Sequence, residues 1–367
     1  MKIVTTKQAL VDSLGVVTRA VSSRSSIQVL SGVLLEAQPD GVLLSATDME
    51  ISLRCPLEAR VDEPGAAVIP ARVVAEVARS LPVGEVHLTQ ESGAGVVEIH
   101  GGTSVFQLRS LPAADFPQLP AFSQERVTVG RTAFLETIER VAPSASRDET
   151  RPLLTGILVH VEHDSVRMVA TDSYRLSVKH TPVESSVTEP LEAIIPAKSL
   201  VELARIAASG TTEHLSLVIA ANQALFEVGG ISLITRVLDG QFPNYRQLIP
   251  ETFDYEVRLD RDELLEAIRR VSVLAHKGTP LRLRFADNTL VISAEAQDIG
   301  RAYESLPVPF SGEELQIGFN PEFLEAGVAA VKGTEVYLRF ISPLRPGLIT
   351  GSSDDFLYLV MPIRLSE

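Results

Sequence analysis

The residues best able to do chemistry are two aspartates, Asp48 and Asp172, each closing an Ala-Thr-Asp segment, and four histidines, His160, His163, His180 and His214. Paired carboxylates with an imidazole nearby are the material of general acid–base catalysis, which needs groups titrating close to neutral pH. The spacing argues for another use. Both aspartates directly follow an apolar run that reads as a strand, and an aspartate there ordinarily turns its carboxylate back onto the backbone of a turn. No Walker-type phosphate loop, no His-Glu-x-x-His and no Gly-x-Ser-x-Gly occurs in the chain, so nucleotide, zinc and serine-nucleophile chemistry all lack their usual residues. Cys55 is the only cysteine, which rules out an intrachain disulfide and a cysteine-rich zinc site. The expectation is a protein with no catalytic residues, no metal and no cofactor.

The elements that carry these aspartates recur three times, at intervals of about 125 residues. The first copy runs Gly32-Val-Leu-Leu-Glu-Ala37, a turn at Pro39-Asp-Gly41, then Val42 to Asp48. The second runs Gly156 to Glu162, a turn at His163-Asp-Ser165, then Val166 to Asp172. A weaker third runs Leu281 to Ala286, a turn at Asp287-Asn288, then Thr289 to Glu295. Alternating apolar segments around short polar turns read as β-hairpins. A chain that repeats a whole domain builds arcs and rings more readily than clefts.

Each repeat opens with an amphipathic helix. Leu10, Leu14, Val17 and Val21 share one helical face in the first; Phe134, Leu135, Ile138 and Val141 follow Thr132 in the second. In the third, Leu264, Leu265, Ile268 and Val271 follow Asp260, with Glu263 completing a capping-box pattern. A second helix starts at Ile69-Pro-Ala-Arg, at Ile195-Pro-Ala-Lys and at Phe319-Asn-Pro-Glu, where Asn320 and Pro321 form an N-cap and first-turn pair. Further alternating segments follow, with Val336, Leu338 and Phe340 facing one way, and Gly101-Gly102 and Gly229-Gly230 marking hairpin turns. Proline-rich stretches at Leu111–Pro120 and Leu238–Pro250 read as linkers. The domains are therefore placed at 1–124, 125–252 and 253–367, each of a size that buries its own core. Helix, hairpin, helix and more strands make each unit α+β on antiparallel sheet.

Composition bounds the partners. Across 367 residues, 33 Lys+Arg stand against 47 Asp+Glu, a formal charge of −14. That excludes a protein that grips nucleic acid by neutralising many phosphates, although not one that meets it loosely. Trp is absent and aromatics are 5%, which disfavours base stacking. The start, Met1-Lys-Ile-Val-Thr-Thr6, has no apolar signal region and no run approaches a membrane span, so a cytoplasmic location is expected.

Four motifs carry a family resemblance: Ala170-Thr-Asp-Ser-Tyr-Arg-Leu176, Leu111-Pro-Ala-Ala-Asp-Phe-Pro117, Phe242-Pro-Asn-Tyr245 and Val360-Met-Pro-Ile-Arg-Leu365. With these four motifs spread across all three repeats, the chain resembles the bacterial β sliding clamps, the processivity subunits of DNA polymerase III. The resemblance implies a DNA clamp fold and a head-to-tail homodimer closing as a six-domain ring, with helices inside and sheets outside. It implies double-stranded DNA in the channel without sequence preference. It also implies that the replicative polymerase, the clamp loader, other polymerases and repair proteins dock through short linear peptides.

By the same resemblance, Phe106, Val77 and Leu81 face Val273 and Leu274 of a second copy across the closing boundary. Arg24 in Ser22-Ser-Arg-Ser-Ser26 and the loop Arg147-Asp-Glu-Thr-Arg151 correspond to DNA-contacting positions, although Pro152 and Leu153 stand where some members carry aromatics. Arg72, Arg79 and Lys198 are basic positions on helices that would line the channel, with Glu76 and Glu202 among them. The peptide groove maps to Leu154, Thr171, Ser173, Tyr174, Arg175 and Leu176 of the second repeat, and to Pro243, Gln247 and Leu248 of the linker. Leu344, Pro346, Val360, Met361, Pro362, Ile363, Arg364 and Leu365 of the third repeat complete it. Tyr174 stands where a histidine is common. Leu, Val, Met and Pro would wall an apolar slot for a peptide's aromatic and aliphatic anchors, with Arg175 and Arg364 orienting its polar groups. Two rival readings remain: an enzyme built on Asp48 and Asp172, and a peptide-binding scaffold of three domains that encloses no DNA.

Overall fold

The computed structural model of the protein describes residues 1–22, 26–91, 95–120, 122, 126–183, 187–208, 210–275, 279–296, 298–310, 312–353 and 355–365. Arg24 and the first expected domain boundary at residue 124 lie outside the described residues.

Six α-helices are found among the described residues: α1 (Lys7–Val17), α2 (Ala71–Ser80), α3 (Arg131–Val141), α4 (Ala197–Ala208), α5 (Arg261–Ser272) and α6 (Pro321–Ala330). They are two per repeat, as the apolar periodicity requires. The caps act where their residue types place them: Thr6 Oγ1 accepts from the Ala9 amide at 3.1 Å, Asp260 Oδ1 from that of Glu263 at 2.9 Å, and Asn320 Oδ1 from those of Glu322 and Phe323. Each satisfies an amide that the first helical turn leaves without a partner. Two boundaries differ from the sequence expectation. α1 ends at Val17 and passes through a 3-10 turn, Thr18–Ala20, so Val21 is extended; there the Thr18 hydroxyl donates to the Leu14 carbonyl at 2.7 Å. α3 starts at Arg131, ahead of Thr132. None of these helices is long and apolar enough to cross a membrane.

Among the described residues all the strand pairings are antiparallel, in sheets of five, nine, eight and four strands. The third-repeat hairpin turns at Asp287 (φ 50°) and Asn288 (φ 56°), the left-handed pair that a two-residue hairpin needs and that these two residue types tolerate. The first-repeat turn falls on Gly102-Thr103, one residue beyond the Gly-Gly expectation, because Gly101 still pairs with Ser104.

By packing the chain divides into two compact units, chiefly 1–135 with 198–237, and 136–183 with 187–197 and 238–367. The reason lies in the sheets. In the first unit, Ile51–Leu57 of the first repeat pairs with Ile231–Arg236 of the second, making one nine-stranded sheet. In the second unit, Arg175–Pro182 of the second repeat pairs with Phe356–Val360 of the third, making the eight-stranded sheet. The second repeat thus gives one sheet to each unit, and contact density follows sheets instead of covalent repeats.

Inside the second unit the strand Phe356–Val360 is fixed from several sides. Tyr358 is buried, donates its hydroxyl to the Phe323 carbonyl of α6 at 2.8 Å, and is pushed up to about 12 by burial. At its start, Asp355 Oδ2 meets Lys179 Nζ at 2.9 Å and Arg140 at 3.8 Å. Arg140 also pairs with Glu136 at 3.2 Å, and Glu136 takes Lys332 at 2.5 Å. Lys179 and Arg140 are buried, and each has carboxylate partners that offset the cost of taking its charge out of water. Burial alone would lift the Glu136 carboxyl, yet the bonds from Lys332 and Arg140 and the charge of Lys179 outweigh it and hold it below the usual range. Asp355 is lowered against burial in the same way, by Ser353 and Lys179.

Two outcomes follow from this packing. A Cβ on Gly327 of α6 would lie 2.5 Å from Tyr358 Cδ1, so Gly327→Ala should cost about 1–3 kcal/mol of stability in denaturant unfolding, as overpacked cores do; an unchanged midpoint would refute the close approach. Because both carboxyls titrate lower folded than unfolded, their stabilisation is complete above the ordinary carboxylate pKa of about 4 and is lost as pH falls through the lowered values. Thermal melts should therefore drop steeply below about pH 4, and less so in Glu136→Gln. Equal drops in wild type and variant would count against the cluster.

Candidate functional site

The site assembles at one end of the eight-stranded sheet. Arg175 pairs with Val360, and Val360 pairs on its other side with Gly347, so a single row across three strands joins segments 173–176, 344–347 and 360–363. The Met361 amide donates to the Tyr174 carbonyl at 2.8 Å, and the Ile363 amide to the Gly318 carbonyl at 2.8 Å. Leu365 lies where a Gly318 Cβ would project, at 2.6 Å; this close approach keeps the terminal segment on the sheet edge. Pro362 interrupts the strand where it leaves its central position, as a proline must.

Beneath these segments Leu158, Val169, Leu176, Val178, Ile194, Tyr245, Leu348 and Leu359 form one buried cluster, with Leu153, Phe242 and Ile249 packed against it. The linker thus joins the site through Tyr245 in the 3-10 turn Tyr245–Leu248. Tyr174, Leu248, Leu344 and Met361 are exposed large apolar residues in this same unit, a concentration that soluble surfaces reserve for binding. Leu154 and Pro346 are half-buried beside them, Thr171 and Leu176 are buried, and Ser173, Pro243, Gln247 and Arg364 are exposed.

The two aspartates are occupied by their turns. Asp48 Oδ1 accepts from the amides of Glu50 (3.0 Å) and Ile51 (2.8 Å), and Asp172 Oδ1 from those of Tyr174 (2.9 Å) and Arg175 (3.0 Å). The turn role assigned from sequence is what the geometry displays. Met49 and Ser173, at matching stations, take φ of 75° and 80°. His160 is held between Glu162 (2.9 Å) and Glu192 (3.2 Å).

Arg175 is not free to orient a ligand. Its Nε meets Asp172 Oδ2 at 3.0 Å, its guanidinium stacks 4.3 Å over the Phe323 ring, and it is largely buried, so it braces the turn that presents Tyr174. Phe323 is the positioning residue that sequence reasoning missed, and the ion pair of Asp172 with Arg175 adds to the turn role expected of that aspartate. Asp172 was legible through its repeat partner Asp48; Phe323 carries no signal in its own segment.

The repeats allow an internal comparison. The stations of Leu176 and Val178 are held in the first repeat by Ser52 and Arg54, which follow the same register from Thr47 and Ser45. The Arg54 guanidinium donates to the Leu119 carbonyl at 3.2 Å, and burial pulls its pKa down. At the first junction the stations of Leu158, Ile194, Leu348 and Leu359 stay apolar as Leu34, Val68, Leu225 and Ile234, and the floor turns polar at Ser45, Ser52 and Arg54.

The basic positions are dispersed. Arg72 and Lys198 occupy matching first-turn stations of α2 and α4, and Arg79 and Arg205 matching last-turn stations, whereas α6 carries Glu322 and Ala329 there. Arg72 pairs with Glu76 at 3.0 Å and Lys198 lies 3.9 Å from Asp48. Arg147 is exposed; Arg151 pairs with Asp148 at 2.9 Å and reaches Ser173 Oγ at 3.2 Å. Of the expected boundary residues, Val77 and Leu81 are buried in the fold of the first repeat itself, with Leu81 against Gly101. Phe106 and Leu274 are half-buried and Val273 is exposed. Val77 and Leu81 are therefore part of the first repeat's own core.

Comparison with known proteins agrees along the whole length. Models of the DNA polymerase III beta subunit match residues 1–120 (N-terminal domain), 128–244 (central domain) and 246–364 (C-terminal domain). The beta sliding clamp of Streptomyces coelicolor is 32% identical over the full length of both chains. The solved DNA polymerase sliding clamp of Bacillus subtilis superposes with a TM-score of 0.95 at 30% identity, covering all of both chains. A sliding clamp from Pseudomonas aeruginosa solved bound to griselimycin gives 0.92 at 28%, again over both whole chains. The chain belongs to the DNA polymerase III beta subunit family, the bacterial beta sliding clamps, whose members are non-catalytic processivity subunits.

Proposed function

We propose that the protein closes head-to-tail as a homodimeric ring around double-stranded DNA, tethers the replicative polymerase, and receives partner peptides in the groove of its second unit. This is a cytoplasmic task. Two unpaired sheet edges carry the reading. Both internal junctions use one rule: the third strand of a repeat's first hairpin set pairs with the last strand of the next repeat. Leu53 faces Leu233 at the first junction, and Ser177 faces Tyr358 at the second. The strands at the corresponding stations, Gly300–Pro307 of the third repeat and Ser104–Arg109 of the first, each end a sheet among the described residues.

Carrying the register over sets Ala302 against Phe106 and Tyr303 against Val105 of a second copy. Tyr303 is 74% exposed and Val105 54%, and long exposed edges with apolar side chains are what a protein otherwise avoids. A head-to-tail contact between unlike edges closes when the rotation allows. Val273 at the end of α5 adds exposed apolar surface to the third repeat. DNA is then held by enclosure, with Arg72, Arg79, Arg147, Arg151 and Lys198 giving loose, sequence-blind phosphate contacts. Clamp loader, other polymerases and repair proteins would share the groove, whose methionine and leucine walls adapt to several ligands.

The variant Val105→Cys/Tyr303→Cys tests closure, since Cys55 is buried and facing strand positions lie within disulfide reach. Oxidation should give a covalent dimer of twice 39.7 kDa that stays on nicked circular DNA and is lost when the circle is cut. A monomer by small-angle scattering at micromolar concentration would leave the scaffold reading instead.

For the groove, Leu344→Asp and Met361→Asp change exposed side chains and should leave the melting temperature intact. They should weaken binding of a fluorescent peptide bearing adjacent Leu and Phe anchors at least about tenfold, as lost anchors do. Undiminished binding would remove these residues from the site.

A further inference from the structure

The charge cluster at the second junction has an incomplete counterpart in the third repeat. Glu266 and Arg270 of α5 stand where α3 carries Glu136 and Arg140, and Glu304 stands where Lys179 does, each two pairs along the hairpin from the matching alanine. Arg270 is held by Glu304 at 2.6 and 3.0 Å and by Glu266 at 3.2 Å. At the second junction three cations (Arg140, Lys179, Lys332) meet two anions (Glu136, Asp355). In the third repeat a single cation meets two anions, and the Glu266 side chain is 67% exposed.

The absent element is the cation that the next domain supplies. Lys332, two residues past the end of α6, reaches Glu136. The matching residue past α2 is Pro82, which carries no charge. Beside it, however, Lys7 folds its ammonium onto the carbonyl of Leu81, so the first repeat offers a cation at nearly the same station from a different element. We propose that Lys7 of one protomer pairs with Glu266 of the other, completing the Glu266–Arg270–Glu304 cluster and locking the closing junction of the ring. The proposal rests on the head-to-tail dimer above and names a contact that this reading does not require. A second copy of the chain is the occupant because charge complementarity and the repeat register both call for it.

Charge reversal on the full-length protein decides it. Lys7→Glu and Glu266→Lys, and the neutral variant Glu266→Gln, should each raise the dimer dissociation constant measured by sedimentation. The reversals should raise it about a hundredfold, roughly tenfold for each of two junctions, a common size for close interfacial charge pairs. The double reversal Lys7→Glu/Glu266→Lys should return to within about threefold of wild type, with melting temperatures monitoring the fold. If Lys7→Glu and Glu266→Gln dimerise as wild type does, or if the double reversal is no tighter than the single variants, the pair is wrong while the ring stands. If the wild type itself is monomeric, the ring reading fails and takes the pair with it.

Discussion

Five residue pairs, from Arg175 with Val360 to Lys179 with Phe356, sew the second repeat to the third, and both the groove and the buried charges hang from that ladder. At one end the row continues through Val360 to Gly347, bringing Tyr174, Met361 and Pro346 to one edge. At the other end Lys179 meets Asp355 where the charges are densest. Main-chain hydrogen bonds of this kind fix position whatever the side chains are, and side-chain alternation then fixes which residues face inward. Displacing the strand by one residue would bury Leu357 in place of Tyr358 and turn the groove's wall inside out.

The chain uses that backbone solution twice with different side chains. At the second junction Leu176 and Val178 sit on an apolar floor with Leu348 and Leu359. At the first, Ser52 and Arg54 hold the same stations, and the linker carbonyl of Leu119 satisfies the guanidinium. An apolar peptide anchor placed over Arg54 would strip that charge of water and of its carbonyl partner, at a cost no contact there offsets. Repetition supplies the framework, and a few substitutions decide where it can bind.

The acidic balance suits the ring proposed above, which would have to hold DNA loosely. Arg72, Lys198 and Arg151 each already have an acidic neighbour, Glu76, Asp48 and Asp148. These pairs are exposed and weak, so in that reading phosphate would compete for the cations without binding tightly. Few released counterions mean a shallow affinity, which in the proposed ring leaves the holding to enclosure.

Periodicity and capping residues determined the six helices, and Asp260, Asn320 and the Asp287-Asn288 turn act locally as their chemistry dictates, because caps and tight turns are settled within a few residues. The repeat likewise made Asp48 and Asp172 legible as turn aspartates, since two copies of one pattern point to one structural role. What the sequence could not determine was which strand of one repeat joins which strand of the next, and so the division into two packing units that cuts the second repeat. Nor could it reveal that Arg175 is spent on Asp172 and Phe323, or that Val77 and Leu81 are core. The strand junctions and the stacking of Arg175 on Phe323 join segments more than a hundred residues apart, and Leu81 packs on Gly101 from a separate element. Strand pairing and burial are properties of such encounters, and no single segment contains both partners.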